Sequence, residues 1–251
     1  MPVPGLQAGA TGGDLYIYFR ASRADVVLFD EAGSPPHAVK VIAILGPGVV
    51  ISSSLGPRYV GGVQVPGIPS FLIDQFHVDS TFEIIIPSTG ILSGPGGEGG
   101  RGSNETGILF AGGGGGGGAG VIGGIGGAAD PNATAGGPGF LVTGGLHGVS
   151  GASIGGANEL NFPGADGGDG LVCGAYPVLV KNEGWIAGGG GGGYGASSTT
   201  FAFPDGVDGG DLGQDADDFA GAPLTGFAGN AIRGSAVTIT GGGTVFGSVG
   251  A

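Results

Sequence analysis

The residues that could do chemistry are few. Six carboxylates fall within fourteen residues in the run Asp205-Gly206-Val207-Asp208-Gly209-Gly210-Asp211-Leu212-Gly213-Gln214-Asp215-Ala216-Asp217-Asp218. Asp205, Asp208 and Asp211 are spaced by three, which on an extended threefold helix puts them on one edge, roughly 9 Å apart. That is too wide for one Ca²⁺, whose oxygen ligands lie at about 2.4 Å, so the regular part reads as a charged outer ridge. Asp215, Asp217 and Asp218 form a weak Ca²⁺ candidate that requires the loop to fold back. A solvated acidic surface is the plainer reading. The three histidines, His37, His77 and His147, are isolated, and no nucleophile elbow, His-Glu-x-x-His or Walker loop occurs. We expect no enzyme and no cofactor.

Aromatic side chains between glycine tracts offer a different chemistry. Phe162, Tyr194, Phe201, Phe203 and Phe219, with Asp205 beside them, sit in loop-like surroundings and are the candidate receptor contacts, since exposed aromatics anchor interfaces. The alternative is that they roof small pieces of core. Trp185 reads as packing, and Cys173, the single cysteine, as a buried small apolar residue.

Composition sets the frame for these residues. The 251-residue chain carries 66 Gly and a net charge of −13. Each Gly costs roughly 1 kcal/mol inside a helix, so essentially no α-helix is expected. Nucleic-acid binding needs a basic face, which seven Lys and Arg cannot build. One cysteine excludes an internal disulfide. The start of the sequence does not read as a signal peptide, and no apolar run reaches the roughly 20 residues needed to span a bilayer.

Twelve of the glycines lie in residues 1–93 and 54 in residues 94–251. The expected boundary falls there. The first zone has short β-branched and aromatic runs such as Leu15–Phe19, Val39–Leu45 and Phe82–Ile86, set off by Gly and Pro. They predict a β-sandwich-like, barrel or stacked-layer part. A four-copy unit, aligned from Ile42, Ile84, Val178 and Val237, joins a β-branched triplet, a turn, a Gly at fixed offset and a second apolar run. It reads as a hairpin-like unit whose Gly takes a positive φ, reused at intervals of 42, 94 and 59 residues. Chance matches in a β-rich, Gly-rich chain are the alternative.

The second zone holds Gly112–Gly118 and Gly188–Gly193 among several tracts. Flexible linkers would expose the apolar groups between them, such as Phe140-Leu141-Val142. Polyglycine II helices, extended and threefold with about 3.1 Å rise, pack closely because Gly has no Cβ, and they share backbone hydrogen bonds. A bundle of such helices with short strands is the leading expectation, ahead of Gly-lined β-layers. The loops joining its helices are then free to vary.

Alternating glycine tracts and short loops resemble the distal adhesins of tailed-phage long tail fibres. The run Ile84-Ile85-Ile86-Pro87-Ser88-Thr89-Gly90-Ile91-Leu92-Ser93-Gly94-Pro95-Gly96-Gly97-Glu98-Gly99-Gly100 is similar to Gly-rich distal parts of phage host-specificity and tail-fibre proteins. Gly229-Asn230-Ala231-Ile232-Arg233-Gly234, with the strands after it, resembles fibre C-termini. The family's usual Asn before the turn Gly is Thr89, Glu183 or Gly242 here. The resemblance implies a virion protein made in the host cytoplasm, with a polyglycine II fold and no membrane insertion. It covers roughly residues 40–251 and implies a bacterial surface receptor bound by the loops of 94–251; residues 1–40 match no family, and the N-terminal part, 1–93, is expected to attach to other tail or fibre proteins, with a homotrimer as an oligomeric option. A purely architectural virion component and an ice-binding polyglycine II protein are the rival readings.

Overall fold

A computed structural model of the chain describes residues 6–7, 13–60, 63–98, 165–191, 213–215 and 226–250. Its strands are β1 (Leu6–Gln7), β2 (Leu15–Phe19), β3 (Arg23–Ala24), β4 (Val26–Val27), β5 (Lys40–Leu45), β6 (Val50–Ser52), β7 (Arg58–Val60), β8 (Val63–Val65) and β9 (Phe71–Leu72). They continue with β10 (Thr81–Ile86), β11 (Ile91–Ser93), β12 (Leu171–Gly174), β13 (Val178–Asn182), β14 (Trp185–Ala187), β15 (Ile232–Gly234), β16 (Val237–Thr240), β17 (Thr244–Phe246) and β18 (Val249–Gly250). One short helix, α1 (Leu28–Glu31), follows β4. The mostly β character with essentially no α-helix is as the composition requires.

The chain winds through three parallel sheets in turn. A first face orders β1-β2-β5-β10-β13-β16, a second β17-β14-β11-β6-β3 and a third β18-β15-β12-β9-β4. Each turn of chain visits the first, second and third face in sequence, so the strands stack as rungs of a three-sided solenoid. Among the described residues only β1, antiparallel to β2, and the β7–β8 hairpin depart from parallel pairing. Within the β class, the N-terminal part is therefore three stacked parallel layers rather than a two-layer sandwich. Sheets made this way bury one side chain in two, and like residues stack on like.

The stacking is visible in the core. On the first face Leu15, Val41, Phe82, Val178 and Val237 form one inward column, and Ile17, Ala43, Ile84, Val180 and Ile239 the next. On the second face Ile51, Leu92, Ile186 and Val245 align. On the third, Val26, Phe71, Leu171, Ile232 and Val249 do so. Ile84, Phe71, Leu171 and Ile186 are fully buried, and full burial of such a side chain contributes roughly 1.5–3 kcal/mol. At the N-terminal end Leu28 of α1 is buried. Phe76 meets Phe29 and Phe82 edge-on at 5.1 and 4.8 Å.

The four-copy unit is real as rungs, with two corrections. It is not a hairpin, because its two strands lie on different faces, and the pairing is that of a solenoid with insertions. The glycine-anchored alignment also slips. Ile84 lies opposite Ala43 rather than Ile42, and opposite Val180 rather than Val178, whereas Val178 faces Val237 as aligned. The corners of the third and fourth copies are shorter than that of the second, and at the third the buried Asn182 side chain closes the corner. Asn182 Oδ1 accepts from Gly184 N, and Nδ2 donates to Thr244 O. Positive φ explains only Gly48, at +72°. Gly184 is required because a Cβ would strike the Gly90 carbonyl of the rung beneath, and Gly243 because a Cβ would lie 2.5 Å from Gly184 O. At Gly184 and Gly243 the constraint is stacking, not turn type, whereas at Gly90 a Cβ would meet Pro87 of its own turn.

Candidate functional site

Most connections in the solenoid are tight, but one corner is not. Between the second and third faces the first rung uses Asp25 alone. The second rung inserts residues 53–70, the third 94–170 and the fourth 188–231, while the last turns within Gly247-Ser248. The three longest connections therefore leave and return at a single edge of the molecule.

Their roots are joined by backbone hydrogen bonds between extended, Gly-rich segments. Gly189 N donates to Gly168 O at 2.9 Å, and Gly229 N to Gly189 O at 2.8 Å. Gly97 N donates to Gly190 O at 2.9 Å, Gly213 N to Gly188 O at 3.0 Å and Gly191 N to Gln214 O at 3.1 Å. Residues 188–191 thus bond to each of the segments 94–98, 165–170, 213–215 and 226–231. A strand in a sheet has two neighbours; this segment has more, so the arrangement is a bundle and not a layer. A Cβ at Gly189 would collide with Pro95 O, and one at Gly188 with Gly229 O. The backbones touch, which only glycine permits.

Carboxylates tie the returning segment 226–231 to this bundle. Asp166 accepts Phe227 N at 2.9 Å, Asp169 accepts Asn230 N at 3.0 Å, and Asp215 accepts Ala228 N at 2.6 Å. Asp166 also accepts from Gln64 Nε2 at 2.9 Å, which joins the β7–β8 excursion to the others. Asp169 also accepts Asn230 Nδ2 at 2.9 Å, and pairs with Arg233 Nη1 at 3.1 Å. Charge-assisted bonds of this kind are roughly twice as strong as neutral ones.

Where the three excursions meet lies a cleft of about 260 Å³. Pro57, Pro66, Pro69 and Phe227 line it together with Asp166, Asp169, Asn230 and Arg233. Phe227 is 63% exposed. We take this cleft as the candidate binding site.

The sequence-predicted contacts Phe162, Tyr194, Phe201, Phe203, Asp205 and Phe219 lie outside the described residues, as do Asp217 and Asp218 of the Ca²⁺ candidate. Asp215 is described, and its carboxylate is engaged by Ala228 N. Among the described residues no three His, Cys, Asp or Glu side chains form a group that could hold a metal ion. Trp185 packs as expected, its ring 5.7 Å from that of Phe246 and its backbone between Ile91 and Thr244. Cys173 is buried, and burial pushes its thiol up to about 11. The cleft residues escaped sequence reasoning. The available signal was a pair of carboxylates inside the glycine tract 164–170, where a lattice has no use for charge unless it accepts backbone N–H groups.

No family model matches the chain, and no curated protein matches it. Among solved structures it is similar to the gp37–gp38 adhesin tip complex of the bacteriophage S16 long tail fibre. The identity is 15%, 93% of this chain and 81% of that chain are covered, and the TM-score is 0.47.

Proposed function

We propose that this chain is a structural virion protein of a tailed phage, a tail-fibre or tail-tip adhesin that presents receptor-binding loops for attachment to a bacterial surface. The observation that carries the proposal is the single corner. A rigid stack sends three excursions of very different length out of one edge and anchors their roots through backbone bonds that place no demand on loop sequence. Such a scaffold holds binding segments without specifying them. The resemblance of its glycine tracts to phage fibre adhesins points the same way, and the proposal rests on the chain's own residues rather than on the bacteriophage S16 likeness.

In this reading the extended segments at the corner are polyglycine II helices, continued through the other glycine tracts of 94–251. Residues 1–93 form the attachment and oligomerisation part, joining other tail or fibre proteins, with a homotrimer as one assembly. Residues 94–251 form the distal part. The division is one of role, since β10 and β13, from either side of it, share a sheet. The protein acts in the virion, at the tail or fibre tip, without a cofactor.

Cell binding tests the reading. Purified chain adheres to susceptible bacteria, and replacing 196–206 or 211–225 with Gly/Ser sequence abolishes or redirects adherence. Adherence untouched by both replacements contradicts it. Folded chain that binds no cell favours a purely architectural virion component.

A further inference from the structure

We propose that the corner cleft binds one ring of a neutral saccharide, an inference that rests on the adhesin reading and names a ligand class for it. The space of about 260 Å³ falls below the roughly 300–1,000 Å³ of sites for drug-sized ligands, so it suits one sugar ring rather than a long chain. Its lining matches what a pyranose presents. Phe227 and Pro66, both exposed, and the half-buried Pro69 offer apolar surface to ring C–H groups. Beside them stand acceptors and donors for hydroxyls.

Those polar groups are held in place. Asp169 is fixed by Asn230 and Arg233, and Asp166 by Gln64 and Phe227 N. An ionised carboxylate offers about four acceptor positions. The bonds described occupy two on Asp166 and three on Asp169, so both retain capacity for a sugar O–H. Arg233, whose side chain is 53% exposed, supplies outward N–H donors beside them. Oriented groups of this sort bind with little further loss of side-chain freedom.

Charge selects the class. Two carboxylates face one guanidinium, in a chain of net charge −13. That balance disfavours phosphate, sulfate and uronate. A neutral polyol with one apolar face is what remains.

The test is saturation-transfer NMR on the full chain with neutral methyl pyranosides (gluco, galacto, manno, rhamno and N-acetylglucosaminide), beside inorganic phosphate and methyl glucuronide. At least one neutral glycoside binds, and Phe227→Ala and Asp169→Asn each weaken it roughly tenfold or more, the loss of a hydrogen bond to a charged group or of a flat apolar contact. Val78→Ser, at an exposed position outside the cleft, leaves binding unchanged. Binding by the anions alone, by none of the panel, or equally by the Phe227→Ala chain overturns the proposal. Asp169→Asn loosens the bundle, but Phe227→Ala removes an exposed ring and is read on folded protein. The adhesin reading fails separately. A chain that binds glycoside through the cleft yet adheres to no bacterium retains the sugar site and loses that role. A chain that adheres equally well with Phe227→Ala, or only to cells with intact surface protein, keeps the role and loses the sugar.

Discussion

Gly189 illustrates why a glycine count means little until its neighbours are known. Its N–H and C=O both bond to other segments, and its Cα faces the Pro95 carbonyl with no room for a methyl group. Gly189→Ala is therefore an overpacking change and costs about 1–3 kcal/mol, read as a lowered midpoint in urea unfolding. Asn182 is the corresponding polar residue. Asn182→Ala orphans Gly184 N at a buried corner and costs about 1–3 kcal/mol, and Asn182→Asp does not rescue it, because its second oxygen would face the Thr244 carbonyl at a buried site. Cys173 makes a chemical prediction. Its thiol, raised to about 11 by burial, is protonated at pH 8, so thiol reagents leave folded protein unmodified there and label it only after denaturation. Labelling of native protein at that pH contradicts its burial. The burial of Cys173 and the packing of Trp185 were legible in the sequence. The cleft side chains were not, because Asp166 and Asp169 owe their positions to Phe227 and Asn230, some sixty residues away.

At the level of elements, the strands were legible and their partners were not. Period-two burial in Thr81–Ile86 follows directly from its β-branched composition. That the partner is a parallel strand in another rung does not, since insertions of up to residues 94–170 separate rung-mates. The first copy, β2 with β3, went unseen because its corner lacks the Gly that anchored the alignment. The first rung also supplies a design. Asp25 alone links its second and third faces, with Asp25 N bonded to Ser52 O and Val26 N to Ser70 O. Ser53 can play the same part in the second rung. Deleting 54–70 is thus expected to leave a folded solenoid with its β circular-dichroism spectrum retained, while removing Gln64 and the three prolines that line the cleft. Loss of the β signal would show that the hairpin is needed for the stack. Within a face, Ile84→Ala empties a fully buried column position and costs about 2–5 kcal/mol, again read by denaturant unfolding.

For the whole molecule, a stack whose three longest connections all leave one corner separates stability from function. Columns of Val, Ile, Leu and Phe hold the rungs, and the excursions are free to differ in length and composition. Sequence reasoning located function in the residues between glycine tracts, and placed the compositional change at residue 93. It could not see that sheets run continuously across that change, because glycine content reports where backbones touch and says nothing of strand order. The central claim is that this corner faces a host cell from the tip of a phage tail or tail fibre. Immunogold electron microscopy of virions, with an antibody to this chain, tests it most directly. The account predicts gold at the tail tip or at the distal tips of the tail fibres; gold on the capsid or along the fibre shaft would contradict it.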